Sequence, residues 1–223
     1  MALFELLGVL AMRKKWLWSA YGTCLLTFGA VSPTSAALIP VLGGIAVYDT
    51  DQDITWLANA NAGAGSSFDD GSNTSDGRMS WSNANDWAAS LDINGFTEWR
   101  LPNMDINGDG TVVDCATVSA NECLDNEYGY HFYNNGIDSE NTGIFNSVQT
   151  NNYWSSTEFS ASDAWLFDFT VNDGSQVRTS KNLNASAWAV HEGNIGAVPL
   201  PATTWLFASG LISLTGIVIR KKL

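Results

Sequence analysis

The sequence predicts a single α+β domain held between two terminal addresses. Helical periodicity is confined to two stretches, 83–91 and 127–133, while the later half alternates as short strands broken by turn residues. No repeat of 20 to 50 residues runs through the chain, which argues against solenoids and propellers.

In chain order, Ile45–Asp49 and Ile54–Leu57 read as two strands of a hairpin around the Asp-rich turn Asp51–Asp53. The segment Asn61–Gly77 is almost all Gly, Ser, Asn and Asp and is expected to be a surface loop. Ser82 is expected to cap a helix from Asn83 to Leu91, with Trp87, Ala88 and Leu91 on one stripe and Asn94-Gly95 as its stop. A polar insertion to Asn126 precedes a second, shorter helix over Glu127–Tyr133. Tyr153–Glu158 and Ala164–Thr170 read as strands, the latter alternating Trp165, Phe167 and Phe169 with Leu166 and Asp168. Asn172-Asp173-Gly174 turns into a partner strand over Ser175–Thr179, and Ala187–His191 supplies the last strand.

Composition narrows the function. Hydrophobic residues make up 45%, aromatics 12% and charged residues 15%, which excludes a disordered polyampholyte and a coiled coil. Six of the ten basic residues lie at the ends, whereas Glu5 is the one terminal acid of 23, so the middle sets 4 basic against 22 acidic residues, a net of −18. Such a surface repels phosphate backbones, and no nucleic-acid partner is expected.

The ends look like sorting signals. Arg13-Lys14-Lys15, the apolar run Trp16–Val31 and the small residues up to Ala37 follow the order of a secretory signal peptide over 1–36, with Met12 as a second candidate initiator. An uncleaved anchor is the alternative, but the run is short and Pro33 follows it. Removal takes Cys24 and leaves Cys115 and Cys123. Export permits a disulfide between them, and a bridge is expected over a metal pair. At the other end, residues 202–219 form an apolar stretch of about 27 Å as a helix, expected to cross a bilayer and stop at Arg220, Lys221 and Lys222 on the cytoplasmic side. Val198, Pro199 and Pro201 stand before it. This tail over 198–223 resembles the PEP-CTERM class of bacterial sorting signals in its Val-Pro-Leu-Pro-Ala variant. That resemblance implies an exosortase-type sorting protease as partner and a route through the membrane to the cell surface or extracellular matrix. Leu200 stands where the commonest form of the motif has Glu.

The middle carries a second resemblance. Val47–Thr50, Ile54–Ala58, Trp81–Leu91, Trp99–Pro102, Gly143–Phe145 with Val148-Gln149, Tyr153–Glu158, Ala164-Trp165 and Ala187–Val190 together look like the Lcl C-terminal-like domain family, over a domain placed at 45–195. The resemblance implies a C-type-lectin-like fold in its formylglycine-generating-enzyme variant, and a surface adhesion or ligand-binding role without a defined reaction. The family's namesake ends a collagen-like adhesin and binds sulfated polysaccharide. Here only Arg78, Arg100, Arg178 and Lys181 are basic, which argues against a polyanionic ligand. Family members often carry Gly-His in the second helix where this chain has Gly129-Tyr130-His131, so His131 inherits no role.

Among residues that carry chemistry, Asp105, Asn107 and Asp109 place oxygens at alternate positions before Gly110, as in the first half of an EF-hand loop, with Asp114 as the nearest further carboxylate because position twelve is Ala116. Ca2+ binding and an Asx-rich loop stapled by Cys115 and Cys123 are the two readings. Of the seven domain tryptophans (Trp56, Trp81, Trp87, Trp99, Trp154, Trp165 and Trp188), five or six are expected in the core. Ligand contacts are expected in loops such as Asn151-Asn152 and Ser160–Asp163. Arg100 is expected to pair with Glu98, Glu127 or Glu158, a ligand contact being the alternative. The chain holds no His-Glu-x-x-His, Gly-x-Ser-x-Gly or phosphate loop. The expectation is therefore an exported, membrane-anchored, non-catalytic protein binding an extracellular glycan or protein. A matrix component without a discrete ligand and a polysaccharide hydrolase are the alternatives.

Overall fold

The computed structural model describes residues 37–71 and 73–196. The signal segment 1–36, the sorting residues Val198, Pro199, Pro201, Arg220, Lys221 and Lys222, and the apolar stretch 202–219 lie outside the described residues. Among the described residues no helix is long and apolar enough to cross a membrane.

Two sheets divide the domain. The first is antiparallel, in the order β1 (Leu38–Val41), β2 (Ala46–Asp49), β3 (Ile54–Leu57) and β9 (Val190–Glu192). The second runs β4 (Arg78–Met79), β8 (Ala185–Ser186), β5 (Asn152–Glu158), β6 (Asp163–Asp168) and β7 (Gln176–Ser180). Its single parallel contact is Tyr153 against Ser186. Helices α1 (Trp81–Ala89), α2 (Ala120–Cys123) and α3 (Glu127–Tyr133) precede the strand-rich half. This matches the expected α+β order, and the hairpin, the second helix and the β6–β7 turn stand where the residue pattern put them.

Four expectations shift. The first sheet begins at Leu38, because β1 pairs along β2 in register Leu38 to Asp49, ahead of the boundary placed at 45. Helix α1 starts two residues early: the Ser80 hydroxyl, not that of Ser82, accepts the Asn83 N–H, and the Trp81 N–H bonds to the Lys181 carbonyl. Asn94-Gly95 does not stop that helix. It makes its own tight turn between Ile93 and Phe96 with both residues at positive φ, 56° and 86°, the pairing that short hairpins require. Finally, β9 starts at Val190 rather than Ala187. Ala187, Trp188 and Ala189 are instead buried between the sheets, where the Trp188 indole donates to the Leu57 carbonyl at 2.7 Å.

Aromatic packing fills the space between the sheets. Trp56, Tyr128, Tyr153, Phe167, Phe169 and Trp188 contact one another with ring centroids 5.0–6.3 Å apart, mostly edge-on or tilted, as ring quadrupoles favour. Five of the seven tryptophans are buried, and Trp81 and Trp165 are partly so. Each ring removes apolar area from water at roughly 25 cal/mol per Å², which is how a loop-rich chain of this size holds together.

Candidate functional site

On β5, β6 and β7 the strand period sorts side chains onto two faces. Tyr153, Phe167 and Gln176 lie opposite one another in register, and so do Trp154, Leu166 and Val177 in the next row. The first row meets the aromatic core. The second forms the floor of a cleft of about 430 Å³, within the usual range for small-molecule sites. Trp154 is fixed there because its indole N–H donates to the Met79 carbonyl at 2.8 Å. Val177 and the rim residue Leu183 keep apolar surface open to solvent.

The cleft walls are polar. Asn73, Asp76 and Arg78 come from the end of the 61–77 loop and the start of β4, Asn184 precedes β8, Asn152 opens β5 and Thr179 lies on β7. Arg78 is aimed by its guanidinium, which donates to the Asn184 carbonyl at 2.7 Å, and by its backbone N–H, which donates to Asp76 Oδ1 at 3.0 Å. Among the described residues Arg78 makes no ion pair. The Asn152 side chain has no hydrogen-bond partner there, and its Oδ1 is buried. Three carboxamides, one carboxylate, one guanidinium and one hydroxyl thus converge over an apolar floor.

The wall is built by a loop that the residue pattern placed on the surface, and its centre is not on the surface. Gly63, Asp69 and Gly77 are buried. Asp69 Oδ2 accepts the N–H groups of Gly65 and Gly77, both at 2.9 Å, closing the loop on itself. Gly77 has φ +78°, and a Cβ there would collide with Asn61 Oδ1, so a side chain at this position would strain the backbone and displace the Asn61 amide.

The residues singled out from sequence are dispersed. Asp105, Asn107 and Asp109 share one tight loop, and their side chains accept its own N–H groups: Asp105 from Asp109 and Gly110, Asn107 from Asp109, Asp109 from Thr111. Asp114 is not brought to them. It accepts the Ala116 N–H and lines a groove with Tyr133 and Trp165, while Asn107 lines another with Ile106 and Val118. Among the described residues no group of three or more His, Cys, Asp or Glu side chains is set to hold a metal ion. Cys115 and Cys123 are joined as a disulfide with Cα atoms 5.0 Å apart. Of the two expected ligand loops, Asn152 lines the cleft. Ser160–Asp163 lies elsewhere and holds Lys181, whose ammonium donates to the Ser160 carbonyl at 3.0 Å.

Arg100 pairs with Glu127, as one of the three expected partners, and also with Glu192; Glu158 pairs with Lys181 instead. Burial works against the Arg100 charge, but the Glu127 and Glu192 carboxylates more than offset it and hold the guanidinium pKa above its ordinary value. His131 is enclosed by Trp56, Phe145 and Trp188, and burial pushes its imidazole down to about 3. Neither group lines the cleft. Asn73, Thr179 and Asn184 escaped sequence reasoning because single polar residues in polar turns carry no local signal. The one usable hint was the β5–β7 alternation, which leaves Val177 outward.

No curated protein matches the chain. The Lcl C-terminal domain family matches residues 45–191, a span that begins just ahead of β2, ends inside β9 and takes in every cleft residue. By that match, over most of its described length, the chain belongs to the Lcl C-terminal domain family.

Proposed function

We propose that this is an exported bacterial surface protein of C-type-lectin-like architecture whose domain binds an extracellular glycan in the Trp154–Val177 cleft without turning it over. The observation that carries the reading is the cleft itself. Planar amides, the Asp76 carboxylate and the Arg78 guanidinium can exchange hydrogen bonds with sugar hydroxyls, while Leu166, Val177 and Leu183 offer apolar contact to a ring face. Asp76 is the one carboxylate in the lining, whereas glycoside hydrolysis ordinarily uses two. With 22 acids in the middle of the chain, an uncharged polysaccharide fits better than a sulfated one.

The remaining parts of the proposal rest on the termini. The signal segment 1–36 delivers the domain across the membrane, the tail 198–223 anchors it, and an exosortase-type protease passes it on to the surface or matrix. Edman sequencing of the exported protein should find the leader removed. Full-length chain free in the cytosol would overturn this part.

Binding is tested with a panel of neutral and sulfated polysaccharides. Saturable binding to a neutral one is expected, and Asn152→Ala should weaken it about 2- to 10-fold, the worth of one or two hydrogen bonds. The same change should leave the melting temperature unchanged or slightly higher, because it deletes a buried acceptor with no partner. Self-association without saturable glycan binding would favour a matrix component, and sugar release would favour a hydrolase.

A further inference from the structure

We infer that the loop from Asn61 to Gly77 binds one hard cation of calcium's class through Asp69 Oδ1 and Asn61 Oδ1. This site is separate from the 105–114 loop and does not rest on the glycan reading.

Asp69 is 4% exposed, yet no Lys or Arg side chain pairs with it among the described residues. Its Oδ2 is satisfied by two backbone N–H groups, but its Oδ1 is buried with no donor at all. Asn61 Oδ1 is a second buried acceptor without a donor. Both residues close on Gly77: Asp69 through the Gly77 N–H, Asn61 through the space that a Cβ would fill. Two lone-pair donors buried at one turn, one of them a carboxylate, lack positive charge rather than a further acceptor. A buried carboxylate is costly unless it is paired or coordinates a metal. Oxygen ligands, one of them charged, suit calcium, with backbone carbonyls and water completing the shell. The anionic middle of the chain raises the local concentration of cations further.

The site would brace the cleft wall. Asp69 fixes the loop that carries Asn73, Asp76 and Arg78, and the loop packs on the core where Gly63 lies against Met79 and Trp87.

Purified full-length protein, freed of metal with a chelator, is titrated with calcium alone while its melting temperature is followed. Terbium is titrated in parallel, with emission excited through tryptophan, since Trp87 lies beside the loop. The melting temperature should rise by about 3–6 °C at tenfold excess over the dissociation constant, and terbium emission should saturate. Asp69→Asn should abolish both responses and still fold. The new carboxamide oxygen can keep the Gly65 and Gly77 N–H groups that Asp69 Oδ2 accepts, while the charge that would hold the cation is gone. Should that variant misfold, Asn61→Ala should remove the response in its place. Asp105→Asn/Asp109→Asn should leave both responses intact. No response in the unaltered protein would overturn the inference, leaving a bound water or a reoriented Asn61 amide as the occupant. Loss of the response in the 105/109 variant with retention in Asp69→Asn would overturn it equally.

Discussion

Arg100→Met is expected to destabilise the domain by about 3–5 kcal/mol, the range for stranding one member of a buried ion pair. The guanidinium reaches Glu127 with both terminal nitrogens, at 2.8 and 2.7 Å, and its Nε donates to Glu192 at 2.8 Å. The Glu127 side chain is only 3% exposed and cannot turn to water when the arginine goes. It would keep the Asn103 N–H at 2.6 Å and lose everything else that neutralises it. The backbone of Arg100 exchanges two hydrogen bonds with Val190, so the cluster also pins the start of α3 to β9 and thereby to the first sheet. Arg100→Lys should fall between, because an ammonium cannot make the two parallel bonds. The double change Arg100→Met/Glu127→Gln should recover much of the loss, since a neutral amide is far less costly to bury than an unpaired carboxylate. Urea unfolding of the three variants measures all of this. A single-variant loss below about 1 kcal/mol would show that Glu127 finds solvent or another partner and that the cluster is dispensable.

Why Arg100 was legible from sequence while the cleft was not follows from what each depends on. A lone arginine between Trp99 and Leu101, in a domain with four cations, was expected to pair with a carboxylate rather than contact a ligand; Glu127 was among the three named partners, whereas Glu192, brought alongside by the β9 pairing with Arg100, was not foreseen. The aromatic core was readable for a similar reason: period-two and period-3.6 placement of Trp and Phe decides the buried face wherever one face is wet. The disulfide was readable from the count and spacing of Cys115 and Cys123 together with the expectation of export. The 61–77 loop misled because its composition is that of a turn, and composition does not reveal that Asp69 is drawn inward by the Gly65 and Gly77 N–H groups. The cleft is assembled from positions as far apart as Asn73 and Asn184, joined by β4–β8 pairing of only two residues, too short to leave a periodic trace. Ser82 misled as a cap because Ser80 and Ser82 are equally good caps, and the choice was made by a distant contact, the Trp81 N–H on the Lys181 carbonyl.

His131 sets the second large expectation, which concerns acid. Its ring is fully enclosed, stacked on Trp56 with centroids 4.2 Å apart, and its Nε2 has no hydrogen-bond partner among the described residues. Burial alone lowers its pKa from 6.5 to about 3. Above pH 6.5 the imidazole is neutral in both the folded and unfolded chains and costs nothing. As pH falls below 6.5 the unfolded chain takes up a proton that the folded chain refuses, so stability declines by about 1.4 kcal/mol per pH unit until folded His131 titrates near pH 3. The loss due to this residue should reach about 2–3 kcal/mol at pH 4.5 and about 4–5 kcal/mol at pH 3. Asp49, which accepts from the same Asn135 amide that meets His131 Nδ1, has its carboxyl raised above the ordinary value by burial; it takes up its proton more readily in the folded chain, favours folding as pH falls and so opposes the His131 effect in the absolute pH profile. His131→Phe separates them. It keeps an aromatic ring against Trp56 and removes the titration, so the difference in unfolding free energy between variant and parent should grow in the variant's favour from pH 7 to pH 4.5. Parallel pH profiles would mean that the parent imidazole is protonated in place. That requires a buried counter-charge, and Asp49 beyond the Asn135 amide is the group positioned to supply it.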